Sequence, residues 1–435
     1  MSTTSDEATI DHPPLLENII LHENDLTPEA KQHFSYHSEV FHALESYRHS
    51  ILRENNMTPM GRHLSLSELD KLHKDFKRVL NYVGEHIEIV DCKLPSFGPL
   101  FIVGLPRTGS TLLQNLLACD PNCRTPFYTD MSIEIVPPIS RTDVVEQNRR
   151  MITVQSSLQM DESFTAQRNR IAAAHPAFQI DEDYHILRQA GFFSFLTLIM
   201  SDQESNPDSW FESEKKKDYA YDYHELFLRI LNSVDAPHSH WLLKTPLHTF
   251  QLDTILRHYP CAGLIMTHRC LDEVIPSFCS LGWILGEIYI GTGSQASRDV
   301  LTKRSIQFID KAVESIMKFR MNQNNICDES QKNVFDVNYK DLMKDPIAAV
   351  RRIYDYFGLS WSDEFEMGML DWLRNNPQGK QGRHVYSLAD CGFTHEDIET
   401  RYIDYIKFFR CSPFYDTVSV NSDQCSSENN QVKQD

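Results

Sequence analysis

The chain's apolar positions fall into two periods. Short continuous runs, Leu100–Val103, Trp241–Leu243 and Leu264–Met266, have the length of buried strands. Apolar residues three and four apart predict helices in other stretches. Leu112, Leu113, Leu116 and Leu117 form one stripe, and Leu252, Ile255, Leu256 and Tyr259 another. A third helix starts at Asp345-Pro346, faces inward with Ile347, Val350, Tyr354 and Phe357, and stops at Gly358. Residues 1–97 read as a helical extension. Thr27-Pro28 is an N-cap with proline at the first helical position. Ser65-Leu66-Ser67-Glu68 has the form of a capping box, and Leu69, Leu72, Phe76 and Val79 follow at helical spacing. Thr394-His395-Glu396-Asp397 caps a final helix with Ile398, Tyr402, Tyr405 and Phe409 on one face. From about Ser419 the chain turns polar, and residues 416–435 read as a disordered tail.

The first strand and helix are joined by Gly104-Leu105-Pro106-Arg107-Thr108-Gly109, and Ser110-Thr111 opens the helix. Such a strand–loop–helix points backbone N–H groups and a positive helix end at one spot, which makes an anion site. A nucleoside-triphosphate loop would carry lysine where Ser110 stands; here the loop's cation is Arg107. Without that lysine the loop is poorly built to cleave a β–γ bond. It suits a single phosphate or a phosphosulfate, gripped by Arg107, by backbone amides including that of Gly109, and by the hydroxyls of Thr108, Ser110 and Thr111.

At 435 residues the chain is long enough for one large α/β domain with additions. Its net charge of −19 argues against general nucleic-acid binding, which needs a basic face. A polyanionic ligand must therefore be drawn in by a local group of cations. The acidic start, Met1 to Glu7, lacks the basic and apolar regions of a signal peptide. The longest apolar stretch, Gly191–Met200, is about half of what a membrane span needs. The ten cysteines contain no C-x-x-C pair, which suggests reduced thiols and a cytoplasmic location.

Lys244 stands where the Trp241–Leu243 strand should end. In open α/β sheets, ligands bind outside the carboxyl ends of strands, so this lysine is expected to face the ligand. Arg269 follows the Leu264–Met266 strand in the same way. Asp181-Glu182-Asp183 precedes a further apolar run. Three adjacent acids suit a solvated helix start, or alternatively a general base or substrate contact. Asn206–Lys217 suits a surface loop or lid, and Gly379–Ser387 is a basic, glycine-containing loop with Lys380 and Arg383.

The string P-R-T-G-S-T after an apolar strand resembles the 5′-phosphosulfate loop of sulfotransferases that use 3′-phosphoadenosine 5′-phosphosulfate (PAPS). Lys244-Thr245-Pro246, 25 residues before Arg269, resembles that family's order of elements, and Arg269 with Ser277 resembles its R-x7-S site for the 3′-phosphate. The run 333–342 resembles its strand ending in Y-x-D-L, where the resemblance has Tyr339 meet the adenine and the residue pattern alone equally allows a packing role. Lys380 and Arg383 resemble the flexible basic loop that closes over the 3′-phosphate, although the R-K-G triplet is absent. The resemblance covers roughly residues 98–412 and implies a parallel β-sheet flanked by helices, here a domain over 98–415.

It also implies in-line transfer of a sulfuryl group to a hydroxyl, or failing that an amine, with 3′,5′-ADP as product. Arg107 and Lys244 would stabilise the charge of the leaving phosphate, and no metal is required. Three residues compete for the base. Asp130 lies on the connection after the 5′ loop, His248 stands two residues beyond Pro246, and Glu182 lies in the acidic cluster. The expected partners are a small-molecule or carbohydrate acceptor, with a homodimer as one option for assembly. The rivals are a P-loop kinase or nucleotide hydrolase, which lacks its lysine here, and a non-catalytic nucleotide-binding protein on the same fold.

Overall fold

The computed structural model describes residues 15–158, 170, 179–192, 217–291, 295–324, 333–377 and 387–411. The expected lid at Asn206–Lys217, the basic loop with Lys380 and Arg383, and the polar tail lie wholly or mostly outside these residues. Five strands form one parallel sheet: β1 (Leu100–Gly104), β2 (Cys123–Arg124), β3 (His240–Lys244), β4 (Gly263–His268) and β5 (Val334–Asn338). Their spatial order is β2-β3-β1-β4-β5. The predicted α/β class and parallel sheet are thus what the chain adopts. In register, Ile102 of β1 faces Lys244 on one side and Ile265 on the other, and Gly104 pairs with Thr267. The carboxyl ends of β3, β1 and β4 therefore lie side by side, which is where α/β sheets bind ligands.

Strand β1 shows why its run of apolar residues is continuous. Successive side chains point to opposite faces, and both faces are covered. Leu100 and Ile102 join Leu113 and Leu116 of helix α4 (Ser110–Leu117) and Val350 and Tyr354 of the helix Pro346–Phe357. Phe101 and Val103 belong to the larger core on the other face, with Leu44, Leu69, Phe76 and Val79 from helices N-terminal to the strand. Those helices are α1 (Pro28–His33), α2 (His37–Arg53) and α3 (Pro59–Glu85). They share the core on that face and pack against helices further along the chain.

Two local predictions are corrected. The motif at Ser65–Glu68 lies inside α3, which begins instead at Thr58, whose side chain accepts from the Gly61 N–H, with Pro59 as its first residue. The earlier Thr-Pro start wins, and Ser65 ends up fully buried. The last helix is two short ones, His395–Arg401 and Ile403–Phe409, separated at Tyr402. Between β2 and β3 come α5 (Tyr128–Ser132), α6 (Val144–Leu158), α7 (Tyr184–Gln189) and α8 (Asp218–Asn232). After β3 come α9 (Leu252–His258) and, beyond β4, α10 (Leu271–Ile290). Helix α10 is long and apolar enough to cross a membrane by length and composition, yet 56% of its apolar window is buried inside the fold.

Candidate active site

The loop after β1 is shaped by three left-handed residues, Gly104 (φ 121°), Arg107 (φ 66°) and Gly109 (φ 85°). A Cβ on Gly104 would lie 2.6 Å from the Thr267 carbonyl oxygen, and one on Gly109 would lie 2.9 Å from the Tyr339 ring. Both glycines are therefore required by close approach as well as by φ. Gly109 is the N-cap of α4, with no side-chain cap, so the first N–H groups of that helix open toward the loop. The Thr108 hydroxyl does not face the anion site. It is fully buried, donates to the Leu105 carbonyl at 2.7 Å and shares a hydrogen bond with Thr267 Oγ1 at 2.6 Å. Its grip holds the loop in shape, so the hydroxyl expected on the ligand is spent within the protein.

The two halves of the expected cofactor site meet at Arg107. Its Nε donates to Ser277 Oγ at 3.0 Å, while its carbonyl accepts from Arg269 at 3.0 Å. The Arg269 guanidinium lies 4.2 Å from the centre of the Tyr339 ring, and its Nε donates to Glu273 at 2.7 Å. Arg107, Gly109, Arg269, Ser277 and Tyr339 thus form one continuous patch from four separate stretches of chain. The neighbouring strand end adds Lys244. Its Nζ reaches Thr111 Oγ1 at 3.3 Å and pairs with Glu182. The Glu182 side chain keeps 16% of its exposure, whereas that of Lys244 keeps 3%.

The three candidate bases are sorted by this geometry. Asp130 is buried, caps the start of α5 by accepting from the Phe127 N–H at 3.0 Å, and lies 3.8 Å from Arg124. Burial pushes its carboxyl up against the pull of Arg124. His248 lies in a 3-10 turn, Pro246–Phe250, and is fully buried. Both its ring nitrogens are engaged, Nε2 with Asp183 at 2.7 Å and Nδ1 with the Tyr221 hydroxyl at 2.9 Å. Glu182 is the candidate beside Lys244 and Thr111. The solvated reading of the acidic cluster is corrected for Asp183, which has no exposed surface. Burial alone would raise the Asp183 carboxyl, but His248 and His224 outweigh it and hold it far below the usual range. His224 on α8 was not singled out from sequence. The only trace of it there is a histidine on the apolar side of an amphipathic helix.

A parallel sheet whose central strand feeds a glycine loop, with cations at three adjacent strand ends, is the setting of a transferase. The chain belongs to the sulfotransferase family, whose model matches residues 99–363. It is 25% identical over 277 residues to the omega-hydroxy-beta-dihydromenaquinone-9 sulfotransferases Stf3 of Mycobacterium bovis and Mycobacterium tuberculosis, a match covering 60% of this chain. The match spans 63% of the length of those curated relatives. Among solved structures, sulfotransferase STF1 from Mycobacterium tuberculosis superposes with a TM-score of 0.65 at 24% identity, covering 87% of this chain and 93% of that one. STF9 from Mycobacterium avium gives 0.67 at 22% identity, covering 90% and 98%. The sulfotransferase fold is thereby shared, and the kinase or hydrolase reading gives way.

Proposed function

We propose that this sulfotransferase moves a sulfuryl group from PAPS to a hydroxyl of an apolar small molecule, with Glu182 as the base. The observation that carries this reading is the meeting of Lys244, Thr111 and Glu182 at the end of β3, beside the 5′ loop. Bound at the site, PAPS would supply the activated sulfuryl group. Arg107, the backbone amides at Gly109, Ser110 and Thr111, and the Ser110 and Thr111 hydroxyls would hold its 5′ side. Arg269 and Ser277 would hold the 3′-phosphate, with the Tyr339 ring against the adenine. Lys380 and Arg383 remain candidates for closure over that phosphate.

The chemistry asks for a cation where negative charge develops and for a carboxylate at the acceptor proton. Lys244 answers the first need, and an anionic donor gives its ammonium a second partner that loosens its hold on Glu182. A carboxylate released in this way can accept the acceptor's hydroxyl proton as the oxygen attacks sulfur. Arg107 adds a fixed charge on the leaving side, and its left-handed backbone aims it at Ser277. Support for an apolar acceptor comes from α10. Leu281, Ile284 and Ile288 lie four, seven and eleven residues beyond Ser277, on the same side of the helix, and all are half-buried. The Stf3 relatives are named for omega-hydroxy-beta-dihydromenaquinone-9, and an acceptor of that kind fits such a wall.

Turnover of labelled PAPS against a panel of long-chain alcohols, hydroxylated quinones and sugars tests the reading. Label should pass to an apolar alcohol and survive EDTA, because the groups that would stabilise charge are protein cations. Transfer confined to sugars would overturn the apolar acceptor. No transfer to any acceptor, together with equal affinity for 3′,5′-ADP and 5′-AMP, would overturn the donor.

A further inference from the structure

Behind Glu182 and Lys244 lies a buried set of five side chains drawn from four stretches of chain. Asp183 Oδ2 accepts from His248 Nε2 at 2.7 Å and from His224 Nε2 at 2.9 Å. The other nitrogen of each ring meets a tyrosine: His248 Nδ1 meets Tyr221 at 2.9 Å, and His224 Nδ1 meets Tyr259 at 2.7 Å. The second carboxylate oxygen, Oδ1, accepts the backbone N–H of Lys244 at 3.0 Å. None of the five is more than 4% exposed. With both Nε2 atoms protonated, each tyrosine hydroxyl donates to Nδ1, and Asp183 receives three hydrogen bonds as a carboxylate. Every side-chain polar atom of the set is then paired.

We propose that Asp183 is the positioning residue of the active site. It locks the backbone of Lys244 and, through its own place in the chain, the neighbouring Glu182, so that base and cation face the transferring group in one fixed geometry. The inference rests on the transferase reading above, with Glu182 and Lys244 in their assigned roles. Its physical logic is that two flexible side chains, a glutamate and a lysine, are useful to a transition state only if their stems are held. Lys244 leaves β3 at the residue whose N–H Asp183 captures, and Glu182 precedes Asp183 directly. One carboxylate therefore fixes both stems. The histidines and tyrosines fix that carboxylate in turn, from α8, from the 3-10 turn after β3 and from the end of α9. Asp183, His224 and His248 also place donor atoms within 4.8 Å of one another, the spacing of a metal-ligand set. The hydrogen bonds already satisfy those atoms, and among the described residues no fourth histidine, cysteine or carboxylate joins the set. The set is therefore read as a hydrogen-bonded clamp.

A double-mutant cycle in the full chain tests this, with Glu182→Gln, Asp183→Asn and their combination, alongside Tyr221→Phe. Asp183→Asn should lower kcat by about 10- to 100-fold, the usual cost of losing a supporting partner. Affinity for 3′,5′-ADP should stay within a few-fold, and Tyr221→Phe should cost less. The double variant should lose less than the product of the two single losses, because part of what Asp183 does passes through Glu182 and only the part through Lys244 remains to be lost. Full kcat in Asp183→Asn, or losses that multiply in the double variant, would overturn the inference. So would stoichiometric zinc or iron in the purified wild-type protein that disappears with Asp183→Asn. If Asp183→Asn does not fold, Tyr221→Phe carries the test through its split between kcat and 3′,5′-ADP affinity, and unchanged kcat there would overturn the clamp. Wild-type protein without sulfuryl transfer would instead defeat the transferase reading itself.

Discussion

At the residue scale, neighbouring carboxylates have separate fates. Glu182 and Asp183 differ by one position, yet one faces Lys244 at the site and the other is sealed beneath it. Glu182→Gln should reduce kcat by about 10²–10⁴, the range for loss of a general base, with 3′,5′-ADP binding retained. Asp130→Asn should behave differently. Because Asp130 caps α5, its loss should lower stability by about 0.5–2 kcal/mol, read as a drop in Tm, while kcat remains near normal. A large kcat loss in Asp130→Asn with unchanged Tm would return the role of base to Asp130. Gly109 gives a third case. Alanine there must hold a left-handed φ, at about 1–2 kcal/mol, and must also displace the Tyr339 ring. Gly109→Ala should therefore weaken 3′,5′-ADP binding more than it lowers Tm, as calorimetry and melting curves would show.

At the element scale, parallel strand ends gather what the sequence scatters. Arg107 follows β1, Lys244 ends β3 and Arg269 follows β4, three strands adjacent in the sheet. Arg269→Ala should weaken 3′,5′-ADP by about 10- to 150-fold through loss of a charge-assisted contact of roughly 1.5–3 kcal/mol. Binding of 5′-AMP should hardly change, and equal losses for both nucleotides would move the 3′-phosphate elsewhere. The strand–loop–helix around Gly104–Thr111, Lys244 at a strand end and the Asp345-Pro346 helix were all legible in sequence. Each depends on local rules: hydrophobic period, turn glycine or cap. The contact of Arg107 with Ser277 was not legible, since it joins residues 170 apart through the sheet. The burial of Asp183 escaped for the same reason. Three acids in a row read as solvated until α8 and the turn after β3 bring two imidazoles to one of them. The Ser65–Glu68 motif shows the converse error, a local signal overruled by an earlier helix start inside a continuous amphipathic pattern.

At the scale of the whole molecule, the fold keeps several histidines buried and neutral, and this ties its stability to pH. Burial pushes His224 and His268 below the ordinary imidazole range, against the raising pull of Asp183 and Asp336 respectively. Burial also lowers His240, at the start of β3, to about 4, with Asp120 opposing. Its ring contacts are Phe97 and Tyr354, and its buried Nε2 has no hydrogen-bond partner among the described residues. A histidine whose folded pKa is depressed takes up its proton more readily in the unfolded chain. Stability from such a group is complete above the unfolded value near 6.5 and is lost as pH falls from there toward the folded value. For His240 that window runs from about pH 6.5 to about 4, and the loss is on the order of 3 kcal/mol at 1.36 kcal/mol per unit. Asp183 works in the same direction at lower pH, because its depressed carboxyl contributes stability that vanishes only as acid protonates it. The protein should therefore melt progressively earlier as pH falls from 7 to 4.5, with His240→Gln starting from a lower Tm but declining less steeply. A Tm that stays flat over this interval in the wild type, or a slope unchanged by His240→Gln, would show that the imidazole at the foot of β3 already carries its proton in the folded chain.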